Sequence, residues 1–202
     1  VDLPDGVTVD FPAAHEAPYA EVHRVVAAVV ALGGAVGWLA VPDEAETRAW
    51  LDEQLAGVAA GDGGFACVRV GGRVEAVGTW QRYHAPVVRQ NAEIRRVMAH
   101  PDQRGNGLGR VVVEALTAHA RDAGVEVLLL DARGNNHAAH ALYESLGWRW
   151  CGFVPDFIAV GDERWDRVFF SKRVNTPPGV VLHGSEPVGP GHSRRRDGDA
   201  KT

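Results

Sequence analysis

The order of elements along the chain predicts an α/β or α+β fold, built on one sheet with at least one parallel strand pair. Three observations carry this. "FACVRV" and "RVEAVGTW" are β-rich runs joined by Gly71-Gly72, a pair able to take the positive φ values of a two-residue hairpin turn. Further on, "NAEIRRVMAH", a helical pattern opening at Leu108, and "VEVLLLD" form a strand–helix–strand sequence, a crossover that is normally parallel. "VEVLLLD" is apolar almost throughout, as expected of a strand buried on both faces.

The elements follow in order. "VTVDFP" is a short strand. "APYAEVHRVVAAVVALGG" is a helix with Pro18 near its start and Gly33 past its end. "PDEAETRAWLDEQLAGVAAG" is a second helix whose acidic first turn suits the helix dipole. The hairpin comes next, then a loop containing Pro86 and the strand "NAEIRRVMAH". In the long helix after it, Leu108, Val112, Ala115, Leu116 and His119 share one face, and Gly124 suits its C-terminal cap. After "VEVLLLD", "NNHAAHALYESLG" is a short helix with Asn136 as N-cap and Gly147 beyond its end. "WRWCGFVPDFIAV" and "RWDRVFFSKRV" are two closing strands joined around Gly161-Asp162. Residues 175–202 carry four prolines and five glycines without periodicity and are expected to be a disordered tail. "SRRR" in that tail is read as a solvated charge cluster rather than a nucleic-acid contact.

Bulk properties narrow the function classes. The chain has 202 residues, 46% of them apolar, enough for one domain with a sizeable core. Its net charge is −5, so no global basic field recruits nucleic acid or a membrane surface. Glycines 33, 34 and 37 break the longest greasy run before it reaches the roughly 18 residues of a membrane span, and no signal peptide is expected. Cys67 and Cys151 lack metal-ligand spacing and sit in apolar runs, so both are expected to be reduced core thiols of a cytoplasmic protein.

The chemistry centres on "AHPDQRGNGLGRVVVEALTAHARDAG", where Gly105, Gly107 and Gly109 stand directly before the long helix. Such glycines serve either a tight connection or an anion cradle, in which backbone N–H groups and the helix N-terminus share one hollow. Arg104 and Arg110 would add full charges to those partial ones. A Walker loop does not fit, because Arg110 and Val111 stand where Lys and Ser or Thr are needed. A dinucleotide fingerprint fits poorly: Arg110 takes the place of the third glycine, and the preceding strand comes late in the chain.

Arg104-Gly105-Asn106-Gly107-Leu108-Gly109 resembles the acyl-CoA signature Gln/Arg-x-x-Gly-x-Gly/Ala of the GCN5-related N-acetyltransferase superfamily. A second signature of that superfamily has a counterpart in Asn136, Tyr143 and the turn Leu146-Gly147-Trp148, with Trp148 in place of the usual Phe. The element order agrees from about Ala92 to Val174. "GGAVGWLAVPDEAETRAW" and the two closing strands are in addition similar to tabtoxin-resistance-type acetyltransferases, which modify a small toxin bearing an amine. The resemblance implies a single domain over residues 1–174, whose mixed, mostly antiparallel sheet opens at a central parallel pair and is flanked by helices. It implies transfer of an acetyl group from acetyl-CoA, as co-substrate, to a primary amine. The small-molecule acceptors it suggests are amino-acid-like compounds, antibiotics or toxins. A protein N-terminus or lysine, or a non-catalytic acyl-CoA-binding role, stands as the alternative.

By the same resemblance, Gly105, Asn106, Gly107, Leu108, Gly109 and Arg110, with Arg104, would wrap the pyrophosphate. Val97, Met98 and Ala99 would pair their backbone with the pantetheine arm, and Asn136 would assist there. Tyr143 would protonate the leaving thiolate, although its helical neighbours Ala139, Leu142 and Leu146 would by themselves favour packing. An alkyl amine has a pKa of about 10, so roughly one molecule in a thousand is nucleophilic at pH 7, and a base must take a proton. Glu93, on the cofactor strand, and Asp131, at the end of "VEVLLLD", are the two candidates; ordered water alone is the third.

Acceptor selectivity is expected from the two early helices, the loop around Tyr83 and His84, and residues 154–166. Phe153, Phe157 and Trp165 are read as alternating core residues before they are read as an apolar wall, and Asp156, Asp162 and Glu163 suit a cationic acceptor. His119 is expected to be a satisfied core histidine, and His137 and His140 lack a carboxylate partner, so no metal is expected. The sheet edges offer a route to a homodimer.

Overall fold

The computed structural model describes residues 3–34 and 36–183. Eleven helices and strands follow in chain order: β1 (Val7–Asp10), α1 (Tyr19–Ala31), α2 (Glu44–Ala59), β2 (Gly63–Val70), β3 (Arg73–Arg82), β4 (Ala92–Ala99), α3 (Leu108–Asp122), β5 (Val127–Arg133), α4 (His137–Ser145), β6 (Arg149–Val160) and β7 (Glu163–Arg173). They form one seven-stranded sheet in the order β1-β2-β3-β4-β5-β7-β6. Every neighbouring pair is antiparallel except β4 and β5, which are parallel.

Local chemistry explains the elements. Gly71 and Gly72 take φ of +57° and +84°, the two positive values that close the β2–β3 turn. Asp43 and Glu46 form a reciprocal capping box at the start of α2. Val22, Val25, Val26 and Val30 give α1 one buried stripe. Each face of the sheet has its own core. Val22, Val25, Leu51, Leu55, Phe65, Val77 and Met98 pack under α1 and α2. On the other face Val112, Leu116, Trp80, Ile94, Leu128, Tyr143 and Phe170 pack under α3 and α4. His119 of α3 is half-buried; its Nδ1 lies 3.1 Å from the Trp80 indole N–H and its ring stacks on Phe11.

Four readings from sequence need correction. The β5 strand is buried on one face only. Leu128, Leu130 and Ala132 are buried while Leu129, Asp131 and Arg133 are half-buried. Helices α1 and α2 contact β2, β3 and β4, which leaves that face of β5 uncovered. Asp131 does not end its strand, which continues to Arg133. Cys67 is buried but Cys151 is exposed, because β6 bulges between Trp150 and Gly152 and leaves Cys151 without a partner on β7. Phe153 and Phe157 are more than half exposed rather than core, since β6 is an edge strand and a second irregularity lies between Val154 and Ile158. From Asn175 to His183 there is neither helix nor strand. The remainder of the proposed tail, with "SRRR", lies outside the described residues. No helix among the described residues is long and apolar enough to cross a membrane.

Candidate active site

The functional cleft begins as an irregularity of one strand. Strand β4 pairs with β3 at Arg95↔Thr79 and again at Met98↔Val77, so Arg96 and Val97 together face Gly78. Arg96 takes φ of +51°, rare for a residue with a side chain. This bulge bends β4, and its parallel pairing with β5 stops after Ala92↔Leu128 and Glu93↔Leu129. Beyond that point the two strands separate, and the β5-side edge of Val97, Met98 and Ala99 has no strand beside it. Gly78 permits the close approach of α3 behind the bulge: a Cβ there would lie 2.6 Å from Val112 Cγ1.

The resulting cleft has a volume of about 650 Å³. Val97, Met98, Ala99, Arg104, Gly109, Asn136 and Tyr143 line one part of it, and Glu93, Arg96, Asp131, Arg133 and Arg167 line another. At its mouth, Gly105 and Gly107 take φ of +83° and +74°, so the glycine loop uses conformations that L side chains avoid. None of the N–H groups of Gly105, Gly107, Leu108 and Gly109 donates to a protein acceptor among the described residues. These free donors, at the N-terminus of a fifteen-residue helix, are the chemistry a pyrophosphate requires. A free strand edge beside them is what an extended diamide arm requires.

The remaining nominated residues divide. Asn136 lines the cleft while its side-chain oxygen caps α4 by accepting from the Ala139 N–H at 3.3 Å. Asn106 donates to Gln103 within the loop. Arg110 turns away: its guanidinium donates to the Ser145 hydroxyl at 2.8 Å, pairs with Glu114, and lines a separate groove between α3 and the end of α4. Tyr143 is buried at the base of the cleft against Phe170 and Trp148, and its hydroxyl makes no hydrogen bond among the described residues. Burial, reinforced by the charge of Asp131, pushes its phenol up to about 12, so it holds its proton at neutral pH.

Glu93 and Asp131 are joined by a residue that sequence reading overlooked. Arg167 on β7 binds Asp131 Oδ1 at 2.6 Å and stands 3.6 Å from Glu93 Oε1. Arg95 closes on the other oxygen of Glu93 at 2.6 Å. Glu93 is thus held through both of its oxygens, whereas Asp131 is held through Oδ1 alone. The sequence signal was an arginine alternating with the aromatic residues of the last strand. Tyr83, half-buried nearby, has its phenol raised by burial first and by Glu93 second, whereas His84 is exposed. His137 and His140 lie ring to ring at 6.0 Å, and no group of three or more metal-binding side chains occurs among the described residues.

Comparison with known proteins agrees with this geometry. Residues 35–148 match the acetyltransferase (GNAT) family. The [ribosomal protein bS18]-alanine N-acetyltransferase of Escherichia coli K12 is 34% identical over 85 residues, which cover 42% of this chain and 57% of that protein. A mycothiol acetyltransferase of Nocardiopsis dassonvillei is 35% identical over 112 residues, 51% of this chain and 30% of that protein. The chain thus spans little more than half the length of the first relative and less of the second. An acetyltransferase of Salmonella typhimurium, solved with acetyl-CoA, superposes with a TM-score of 0.70 at 20% identity, covering 91% of this chain and 98% of its own. At that identity the likeness is one of fold. With the family match spanning more than half of the chain, and with a parallel strand pair that opens beside a glycine-turned helix, this protein belongs to the acetyltransferase (GNAT) family.

Proposed function

We propose that the protein is an acetyl-CoA-dependent N-acetyltransferase acting on the primary amine of a small molecule. The observation that carries this is the free edge of β4 running from the donor-rich glycine loop to the Tyr143 hydroxyl. The co-substrate supplies an acetyl thioester. Val97, Met98 and Ala99 pair with its pantetheine amides, and the N–H groups of Gly105, Gly107, Leu108 and Gly109 receive its pyrophosphate, with Arg104 adding charge. Asn136 has its side-chain N–H₂ left for the same arm. Asp131 anchors the incoming amine, and the amine proton leaves through Asp131 or an adjacent water. Glu93, closed between two arginines, serves to hold Arg167 rather than to accept that proton. Tyr143 donates its proton to the departing sulfur, a role consistent with a phenol that stays protonated.

An amino-acid-like compound or an amine-bearing toxin fits a cleft of this size, and the likeness of residues 33–50 to tabtoxin-resistance-type enzymes points the same way. A protein N-terminus is the second reading, favoured by the Escherichia coli relative that acts on ribosomal protein bS18. Calorimetric titration with acetyl-CoA and desulfo-CoA, followed by thiol release over amines and N-terminal peptides, tests both. Binding plus release with a small amine supports the first reading, and release with peptides alone supports the second. Binding without release from any acceptor leaves a non-catalytic acyl-CoA module. No binding overturns all three.

A further inference from the structure

Arg96 differs from the other arginines of the cleft. Arg95 is bound to Glu93, and Arg167 to Asp131 and Glu93. None of the ion pairs among the described residues involves Arg96, and its Nη1 is shut off from solvent with no hydrogen-bond partner among them. The β4 bulge turns Arg95 and Arg96, neighbours in sequence, out of strict alternation, and Arg96 extends under the connection between α1 and α2. There its guanidinium lies 4.0 Å from the Trp38 ring centre and 4.9 Å from that of Trp50. Gly37 is shaped to admit it: its φ is +97°, and a Cβ at that position would lie 2.8 Å from Arg96 Nη2. The two indoles offset part of the cost of removing a cation from water, but they accept no hydrogen bond in the plane of the guanidinium. Burial lowers its pKa, Glu53 opposes and Arg95 adds to the effect, yet an arginine remains charged. The cleft therefore holds a framed cation that makes no ion pair among the described residues, while its carboxylates on β4 and β5 are tied to other arginines.

We infer that Arg96 receives the carboxylate of the acceptor, so that the acceptor is a zwitterion of amino-acid type. Its ammonium group goes to Asp131 and its acid to the guanidinium fork. This rests on the N-acetyltransferase reading above and adds to it a specificity-determining residue. A protein N-terminus has no free carboxylate beside its amine and would leave Arg96 unpaired.

The test uses three acceptors that share one side chain: an α-amino acid, its carboxamide, and the decarboxylated amine. Wild-type protein is expected to prefer the acid by about a hundredfold or more in kcat/KM. In Arg96→Met that ratio falls toward one, and Arg96→Lys, which keeps a point charge but no fork, lies between. Equal use of all three acceptors by the wild type overturns the inference. So does a proportional loss on all three in Arg96→Met, because that is the signature of a structural role for the packing of Arg96 on Trp38 and Trp50. A second measurement needs no turnover: calorimetric binding of N-acetyl-glycine, N-acetyl-leucine and N-acetyl-glutamate to CoA-loaded protein. Binding to the wild type that weakens about tenfold or more in Arg96→Met supports the inference. Its absence in the wild type overturns it, whether or not acetyl transfer occurs. Carboxylate binding without thiol release would instead defeat only the N-acetyltransferase reading.

Discussion

Tyr143 is a packing residue to which we also assign a chemical role. Its ring packs against Phe170 and Trp148, and the residue lines the cleft. Tyr143→Phe keeps the ring and removes the proton. We expect kcat to fall about 10²- to 10⁴-fold with little change in acetyl-CoA affinity, measured by thiol release and calorimetry. The same substitution has a thermodynamic signature. The phenol titrates near 12 in the folded protein against an ordinary value of 10.0. As pH rises past the ordinary value, the unfolded chain gives up this proton while the folded chain keeps it. Its contribution is therefore complete below about pH 10 and is lost between about pH 10 and 12, by roughly 2–3 kcal/mol. Denaturant titrations at pH 9.5 and 11.5 should show a smaller loss in the phenylalanine variant. Gly107 is the other residue whose identity is dictated by its surroundings. At φ +74°, alanine meets no protein atom within 4 Å, so its cost is the left-handed backbone itself, about 1–2 kcal/mol. The added methyl also enters the donor-lined hollow. Gly107→Ala should lower the melting temperature by a few degrees and weaken acetyl-CoA binding at the same time.

Among the elements, β4 decides the site. A regular strand would have continued its pairing along β5 and closed the cleft. The bulge at Arg96 and Val97 prevents that and turns Met98 toward the α1–α2 core, while Val97 and Ala99 pack toward the other one. Gly78 on β3 is the complement of this bulge, since α3 crosses directly over it. Gly78→Val would drive a side chain to within 2.6 Å of Val112 and 2.9 Å of Leu116. We expect a loss of about 1–3 kcal/mol in urea titration, together with weaker acetyl-CoA binding, because α3 carries the glycine loop at its N-terminus. The amphipathic pattern of α3, its stop at Gly124 and the N-cap of α4 at Asn136 are all legible in sequence, because each depends on residues within a turn or two. The bulge is not legible. Nothing in "NAEIRRVMAH" marks Arg96 as a left-handed residue; the conformation follows from how β3 and β4 register against each other.

At the scale of the whole molecule, helices lie on both faces of the sheet, but α1 and α2 cover their face only in part. Helices α1 and α2 reach across β2, β3 and β4, and residues of β5 and β7 beyond them line the cleft where we place the acceptor. Arg167 ties three strands together there by bridging β7 to a carboxylate on β5 and another on β4. The last strand is anchored beyond its end, where the N–H groups of Val174 and Asn175 both donate to the Glu126 carbonyl. Residues 184–202 carry no apolar periodicity from which to build a packed element. Removal of residues 184–202 should therefore leave both the melting temperature and acetyl-CoA affinity unchanged, and a drop in either would assign those residues to the folded domain.

The sequence by itself determined the elements, the parallel crossover and the glycine loop, because periodicity, caps and turn glycines act over a few residues. It also nominated Glu93, Asp131 and Tyr143, through residue chemistry and family likeness. The pairing of those groups came from the fold. It enclosed Glu93 between Arg95 and Arg167, gave Asp131 the second of these arginines, turned Arg110 away to Ser145, and left Arg96 without an ion pair against two indoles. Residues 27–74 positions apart in the chain make the contacts among Glu93, Asp131, Tyr143, Arg167 and Phe170. Such long-range electrostatic pairing depends on strand order and on which face a helix leaves open, and no local pattern encodes either one.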